Sequence, residues 1–316
     1  RVVHCDCHPF SMAYGTIFSM TLTSGSSCIG KDWLLTLSRS RCRIHRLLEL
    51  KTGGKMENIN IHKTAVIHPG AKFSSGVTVG PYSVIEGSVS LGDNVRIVSH
   101  CVITGQTTIG RNCKIYSGAV IGSAPQDKKY SADDNVFLNI GENNVIREYV
   151  TINPGTVDGG SKTVIGNNNL IMAYAHVAHD CVIGNNCVMA NAATLGGHVV
   201  LEDNAVIGGL SAVHQFVRLG RLSIVGGCSK VVQDIPPFSM CDGHPAQVMA
   251  INAVGLRRAQ FPAEVIQRLR KAFKILFRSG LTRAHALERI SSDIETCPEI
   301  EHLIFFAKTS ERGLCS

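Results

Sequence analysis

The chain has 316 residues, of which 44% are hydrophobic, 6% aromatic and 17% charged, with 31 glycines and a net charge of +7. That length allows one large core or two domains, and abundant glycine with few aromatics argues against a helical bundle and for short strands joined by tight turns. No run approaches eighteen apolar residues, so no membrane span is expected.

Residues 1–55 stand apart. They hold eight Lys/Arg, seven Ser and three acids (Asp6, Asp32, Glu49), and Arg39 to Lys51 reads as a basic amphipathic helix. This is the composition of an organelle transit segment, so a mitochondrial location is expected, with the plastid as the alternative. Without these residues 23 basic and 21 acidic groups remain, and the net charge falls from +7 to +2. The basicity therefore belongs mostly to the leader and does not argue for nucleic acid.

From Ile61 an aliphatic residue or Phe recurs every six positions through Ile67, Phe73, Val79, Ile85, Leu91, Ile97, Ile103, Ile109, Ile115 and Ile121. The phase is lost across residues 124–139, resumes at Ile140, Ile146 and Ile152, and slips again through PGTVDGGSKT. It then holds from Ile165 to Val231, giving 26 anchors in all. A small residue often sits two positions before the anchor, as at Cys101, Cys113, Ala119, Cys181 and Cys187, and Gly often follows it. A six-residue period fits neither a helix nor an alternating strand; it fits a parallel β-helix with one strand and one turn per hexad and three hexads per coil. Between eight and nine coils are expected, with the β-helix over 58–240. The twelve cysteines form no CxxC pair. Those at the small position read as reduced, buried, apolar residues.

Residues eighteen apart should stack. His179 then lies under Gly197 and Gln215, Asp180 under His198 and Phe216, and His214 over Gly196, with His176 on the strand approaching that corner. A neutral imidazole beside a carboxylate suits a general base, and Gly197 can offer an unobstructed backbone N–H to an oxyanion. Two other readings compete. Three imidazoles could hold Zn²⁺ with an open position, as in a metal-dependent hydrase, and the corner could be ordinary polar turns in an assembly subunit.

After residue 240 the period becomes helical. A short helix is expected near Asn252–Arg258, followed by helices over 263–279, 282–295 and 298–310, which together form a C-terminal helical domain over 241–316. The cations Arg257, Arg258, Arg268, Arg270, Lys271, Lys274 and Arg278 form either a solvated face or a surface for an acidic partner.

The hexapeptide pattern resembles the left-handed β-helix acyltransferases, and the handedness comes from that resemblance. The segments AHVAHDCVIGNNC, NAATLGGHV, AVHQF, VGGCS, QDKKY, TINPGTVDGG and the terminal ERGL resemble the UDP-N-acetylglucosamine O-acyltransferase family, which begins lipid A biosynthesis. The likeness covers about residues 58–314. It implies a homotrimer, UDP-N-acetylglucosamine and acyl carrier protein as substrates, and no cofactor or metal. It also implies His179 as general base with Asp180 beside it, and Gly197 as oxyanion donor. Asp127 and Lys129 reach the nucleotide from the neighbouring subunit, His176, His198, His214, Gln215, Asn252, Arg257 and Arg258 become substrate contacts, and Gly227 the position that measures acyl length. Where the family has an acid and a second arginine, this chain has Val254 and Ala259; Pro154 and Tyr174 also depart from the bacterial pattern.

Overall fold

The computed structural model describes residues 58–316, so the transit-like extension expected over 1–55 lies outside the described residues. The 26 short strands from Asn60–Ile61 to Lys230–Val231 each end on one of the 26 periodic anchors. They stack into three parallel sheets, here the first, second and third faces, entered in chain order by Ile61, Ile67 and Phe73. The architecture is a left-handed parallel β-helix. Paired residues are eighteen apart where no loop intervenes, as in Asn60↔Thr78 and His176↔Thr194.

The anchors build the core. Ile85, Ile103, Ile121, Ile152, Val177, Leu195 and Ile207 are buried, with Cys101, Cys113, Cys181 and Cys187 beside them. A prism this narrow takes one branched side chain per hexad and a small neighbour, which accounts for the cysteines. All eight described cysteines are free. Burial pushes the Cys181 thiol up to about 12 and that of Cys187 to about 11, so neither supplies a thiolate at neutral pH.

Most corners place a left-handed residue three positions after the anchor. On the third-to-first corner this is Asn, at 94, 112, 143, 168, 186 and 204. Asn tolerates that conformation, and here its amides also form a ladder, with Asn94 Nδ2 donating to Asn112 Oδ1 at 3.3 Å and Asn112 Nδ2 to Asn143 Oδ1 at 3.1 Å. On the second-to-third corner the same position holds Asp180, His198 and Phe216, with φ of 59°, 61° and 66°.

The two interruptions of the period are loops at that second-to-third corner. Lys114 pairs with Val145, 31 residues on, and Val145 with Leu170, 25 on, against eighteen between uninterrupted hexads. The extra residues lie in 122–136 and 153–161, while the coil continues in register on either side.

The expected boundary at 240/241 falls inside a strand. Ser239–Gly243 pairs in parallel with Ile224–Val225 on the first face and then turns into the antiparallel strand Ala246–Ile251, so the sheet runs past the end of the hexad period. Four helices follow, Ala253–Arg258, Ala263–Arg278, Arg283–Asp293 and Pro298–Lys308. Their apolar faces (Leu256, Ile266, Leu269, Phe273, Leu287, Ile290, Ile300, Leu303) pack with Leu222 and Phe238 into a second core. The hairpin and helices cover the last coil, whose backbone edge would otherwise be open. No described helix is long and apolar enough to cross a membrane.

Candidate active site

Stacking at the second-to-third corner is as the eighteen-residue register requires. His198 N–H donates to His179 O at 3.0 Å, and Phe216 N–H to Gly197 O at 3.0 Å. His179, Asp180, Gly197, His198, His214, Gln215 and Phe216 thus occupy successive turns of one corner, with the two inserted loops beneath them.

The centre is a His–Asp pair. His179 Nδ1 lies 2.7 Å from Asp180 Oδ2. An ionised carboxylate can only accept, so the pairing assigns the proton to Nδ1 and leaves Nε2 with its lone pair available. The Asp180 side chain is 1% exposed. Its charge is met by Thr156, whose N–H donates to Oδ1 at 2.9 Å and whose hydroxyl donates to Oδ2 at 2.6 Å. Asp180 N–H donates in turn to Thr163 Oγ1 at 2.8 Å.

His198 packs edge-on against His179 with ring centroids 5.1 Å apart, and its other side stacks on Phe216 at 4.3 Å. Its Nε2 is 3.8 Å from Asp180 Oδ2. Burial holds His198 below the usual imidazole range; Asp180 opposes this, His179 adds to it, and Asp127 pulls upward from the first loop. His176 Nδ1 is 2.7 Å from Thr151 Oγ1, and burial, then the neighbouring His179, lowers its pKa too. Both rings are therefore neutral at physiological pH, able to donate at one nitrogen and accept at the other.

Two features mark Gly197. Its N–H has no hydrogen-bond partner among the described residues. A Cβ there would come within 2.5 Å of His179 Cε1 and 2.7 Å of Nε2, so any side chain displaces the imidazole.

The remaining predicted residues divide. His214 and Gln215 are exposed turn residues on the same corner, with His214 Nδ1 3.2 Å from Gln215 O. Asp127 and Lys129 sit in the first loop, where Lys129 N–H donates to Asp127 Oδ1 at 3.0 Å and Lys129 Nζ lies 3.4 Å from Asp158 of the second loop. Gly227 is on a different corner, first-to-second, stacked on Gly209. Asn252 caps the helix Ala253–Arg258 by accepting from Gly255 N–H at 2.9 Å, and its Nδ2 donates to Leu222 O at 2.9 Å on the third-to-first corner. Arg257 and Arg258 follow on that helix, exposed. Within one chain the predicted contacts are thus spread over all three corners.

Sequence reasoning missed Thr151, Thr156, Gly159 and Thr163 as partners of the histidines and Asp180. Thr163 was within reach of the register, being seventeen residues before Asp180. Thr156 and Gly159 lie where the period is lost, and no stacking rule reaches them.

His179, Asp180 and His198 also present ligand atoms within 4.8 Å of one another. The donor set is two imidazoles and a carboxylate, not the three imidazoles of the zinc reading: His176 instead bonds to Thr151. Both oxygens of the carboxylate already accept hydrogen bonds.

The chain is similar to known proteins. The family described as UDP N-acetylglucosamine O-acyltransferase, domain 2, matches residues 234–315, and the bacterial transferase hexapeptide family matches 74–105 and 162–197. The acyl-[acyl-carrier-protein]–UDP-N-acetylglucosamine O-acyltransferase of Thermodesulfovibrio yellowstonii is 48% identical over 255 residues, 81% of this chain and 98% of that one. The protein of the same description from Chlorobaculum tepidum is 57% identical over 250 residues, 78% and 94% of the two chains. Among solved structures, LpxA from Acinetobacter baumannii shares 40% identity with a TM-score of 0.78, over 81% of this chain and 99% of its own. The Arabidopsis UDP-N-acetylglucosamine acyltransferase shares 36% with a TM-score of 0.73, over 81% and 100%.

The contact at Gly197 can be checked by NMR. Gly197→Ala should push the His179 ring off Asp180 and abolish the downfield resonance of the hydrogen-bonded Nδ1 proton; a resonance unchanged in the variant would contradict the packing.

Proposed function

The chain belongs to the UDP-N-acetylglucosamine O-acyltransferase family, which makes it an acyl-[acyl-carrier-protein]–UDP-N-acetylglucosamine O-acyltransferase of lipid A-type biosynthesis, and from that premise we propose how its residues carry the reaction. The glucosamine 3-hydroxyl attacks the thioester carbonyl of an (R)-3-hydroxyacyl chain on acyl carrier protein. His179 Nε2 takes the hydroxyl proton as the new C–O bond forms. Asp180, accepting from Nδ1 at 2.7 Å, holds the ring and stabilises the imidazolium. The Gly197 N–H faces the oxyanion of the tetrahedral intermediate. When the C–S bond breaks, the carrier thiolate leaves and His179 returns the proton to it. Nothing in this sequence calls for a cofactor.

The observation that carries the reading is the His179–Asp180 pair beside the unobstructed Gly197 N–H. Around it, neutral His176 and His198, together with His214 and Gln215, contact sugar, diphosphate or acyl chain, and Asp127 and Lys129 reach the nucleotide from a neighbouring copy.

Asn252, Arg257, Arg258 and Gly227 lie on the other two corners. They serve the same site only if neighbouring copies bring those corners alongside it, and this supports a homotrimer with three intersubunit sites. Val254 in the Arg257–Arg258 helix and Ala259 just after it stand where the family has an acid and an arginine, leaving those two cations for the nucleotide diphosphate. On the helix Ala263–Arg278, Arg268 is tied to Glu295 and Arg278 donates to Met249 O at 3.2 Å. Arg270, Lys271 and Lys274 are exposed without an ion-pair partner among the described residues, and form the surface for the acidic carrier protein. At Gly227 an added Cβ would come no closer than 3.3 Å to the nearest atom, Gly209 O, and no positive φ is needed. That is one tight contact, which a shift of a few tenths of an ångström at Gly209 would relieve, so its own chain asks less of this glycine than of Gly197; this fits a role in leaving room for the far end of an acyl chain of about fourteen carbons rather than ten.

Mitochondrial delivery, with the plastid as the alternative, rests on the composition of residues 1–55; imaging a fluorescent fusion of that segment decides between the two.

The reaction is tested by incubating the protein with UDP-N-acetylglucosamine and a panel of 3-hydroxyacyl carrier proteins in the presence of a chelator. The 3-O-acyl product should form, and His179→Ala should lower kcat by roughly 10²–10⁴-fold. Chelator-sensitive activity, or a variant as active as the parent, would refute the base mechanism. In the same panel Gly227→Met should move the preferred chain to a shorter one; an unchanged preference removes Gly227 from the length-measuring role.

A further inference from the structure

A side chain three positions after an anchor ordinarily points out of the coil. At equivalent turn positions Tyr82, Tyr149, Tyr174, Leu210 and Phe216 are 60%, 54%, 63%, 69% and 50% exposed. Asp180 occupies that position, with φ of 59°, yet is buried. The difference is the second inserted loop. Residues 153–161 leave the coil beneath, fold back over the corner and close on the carboxylate.

The loop is built to hold that group. Thr156 contacts both oxygens, N–H to Oδ1 and hydroxyl to Oδ2, which blocks rotation of the carboxylate. Oδ2 is also the oxygen that accepts from His179 Nδ1, so the Thr156 hydroxyl fixes the atom that orients the imidazole. At Gly159 a Cβ would lie 2.1 Å from Asp180 Cγ and Oδ2, so the carboxylate occupies the space of a side chain there. The loop is itself braced. Gly159 N–H and Ser161 N–H both donate to Thr156 O at 3.0 and 2.8 Å, and Gly155 N–H donates to Phe137 O at 3.2 Å. Asn153 at its start donates to Ser123 O and Ala124 O of the first loop at 3.0 and 3.2 Å. Burying a carboxylate at a turn is unfavourable unless donors surround it. The loop supplies two of the three donors that reach Asp180, and the third is His179.

We propose that the 153–161 insertion is a clamp on the Asp180 carboxylate, in which Thr156 is a positioning residue for His179 and Gly159 provides the cleft that admits the carboxylate. The inference rests on the reading of His179 as the general base. Thr156 touches no reacting atom; it acts through Asp180, and the tests follow from that.

The experiment measures kcat and KM for Thr156→Val, Thr156→Ser, Gly159→Ala, Asp180→Ala and the double variant Thr156→Val/Asp180→Ala in the assay above, with His179→Ala alongside. Thr156→Val should lower kcat roughly ten- to a hundredfold with KM unchanged, the size expected for losing a hydrogen bond to a charged group. Thr156→Ser, which keeps both donors, should recover most of that loss and keeps the measurement open should Thr156→Val fail to fold. Gly159→Ala, which drives a methyl into the carboxylate without removing a donor, should lower kcat in the same way. In the Asp180→Ala background, adding Thr156→Val should change kcat less than about twofold, because residues acting through one group are not additive. A full Thr156→Val loss persisting without Asp180, a loss confined to KM, or a serine variant as impaired as valine would overturn the clamp. If His179→Ala is inactive while Thr156→Val and Gly159→Ala turn over normally, the clamp alone fails. If His179→Ala turns over normally, the base reading fails and takes the clamp with it.

Discussion

Backbone hydrogen bonding between stacked coils is the constraint on which this molecule depends. Each short strand satisfies its N–H and C=O groups only through the strands above and below, so the coil has no freedom to slip by one residue without exposing its anchor. That locks the spacing at eighteen and turns sequence position into spatial position. Gly197 lies over His179, and His198 over Asp180, because no other register keeps Val177 and Leu195 inside the prism.

The same constraint explains where irregularity is admitted. Faces cannot take extra residues, but corners can, and both insertions leave at the second-to-third corner. The flanking strands widen there to four residues, Phe137–Ile140 pairing with Gln106–Ile109 below and Lys162–Ile165 above, so the loops emerge from a reinforced rung. The corner they cover is the one with the polar side chains. A β-helix otherwise offers only shallow turns; the loops turn one stretch of its edge into a walled site in which a carboxylate is buried and imidazoles lose their solvation. Lys129 with Asp158, and Asn153 with Ser123 and Ala124, join the two loops to each other.

A prism with three corners cannot bring all three to one ligand. The His179 corner, the Gly227 corner and the corner that holds Asn252 face outward in different directions, and the proposed trimer resolves this by placing one copy's corner against another's. The C-terminal helices contribute twice: they cover the last coil, and the first of them carries Arg257 and Arg258 in its last turn. Asp234 ties this part down. Buried, it accepts from Arg218 N–H at 2.8 Å and from the Ser310 hydroxyl at 2.8 Å, linking the last coil to the chain beyond the final helix.

What was legible in the sequence follows from periodicity. Every anchor from Ile61 to Val231, the stacking of His179, Gly197 and Gln215, the position of Asp180 below His198, and the four helices after Asn252 could be read from spacing, because burial in a narrow coil imposes one pattern over many residues. The family likeness in AHVAHD, LGGH and QDKKY added roles that spacing could not. Where the pattern lapses, local sequence carries no register. Nothing in PGTVDGGSKT says that Thr156 folds onto a carboxylate 24 residues later, that Gly159 makes room for it, or that a turn aspartate becomes buried. Likewise the hairpin Ser239–Ile251 continues the first face after the hexads end, since hydrogen bonding to an open edge needs no six-residue period. The sequence by itself determined the coil, its register and the column of candidate groups, because those depend on a repeated local rule. Only the tertiary structure decided which groups are desolvated and who their partners are, because that depends on loops returning to the corner from outside the repeat.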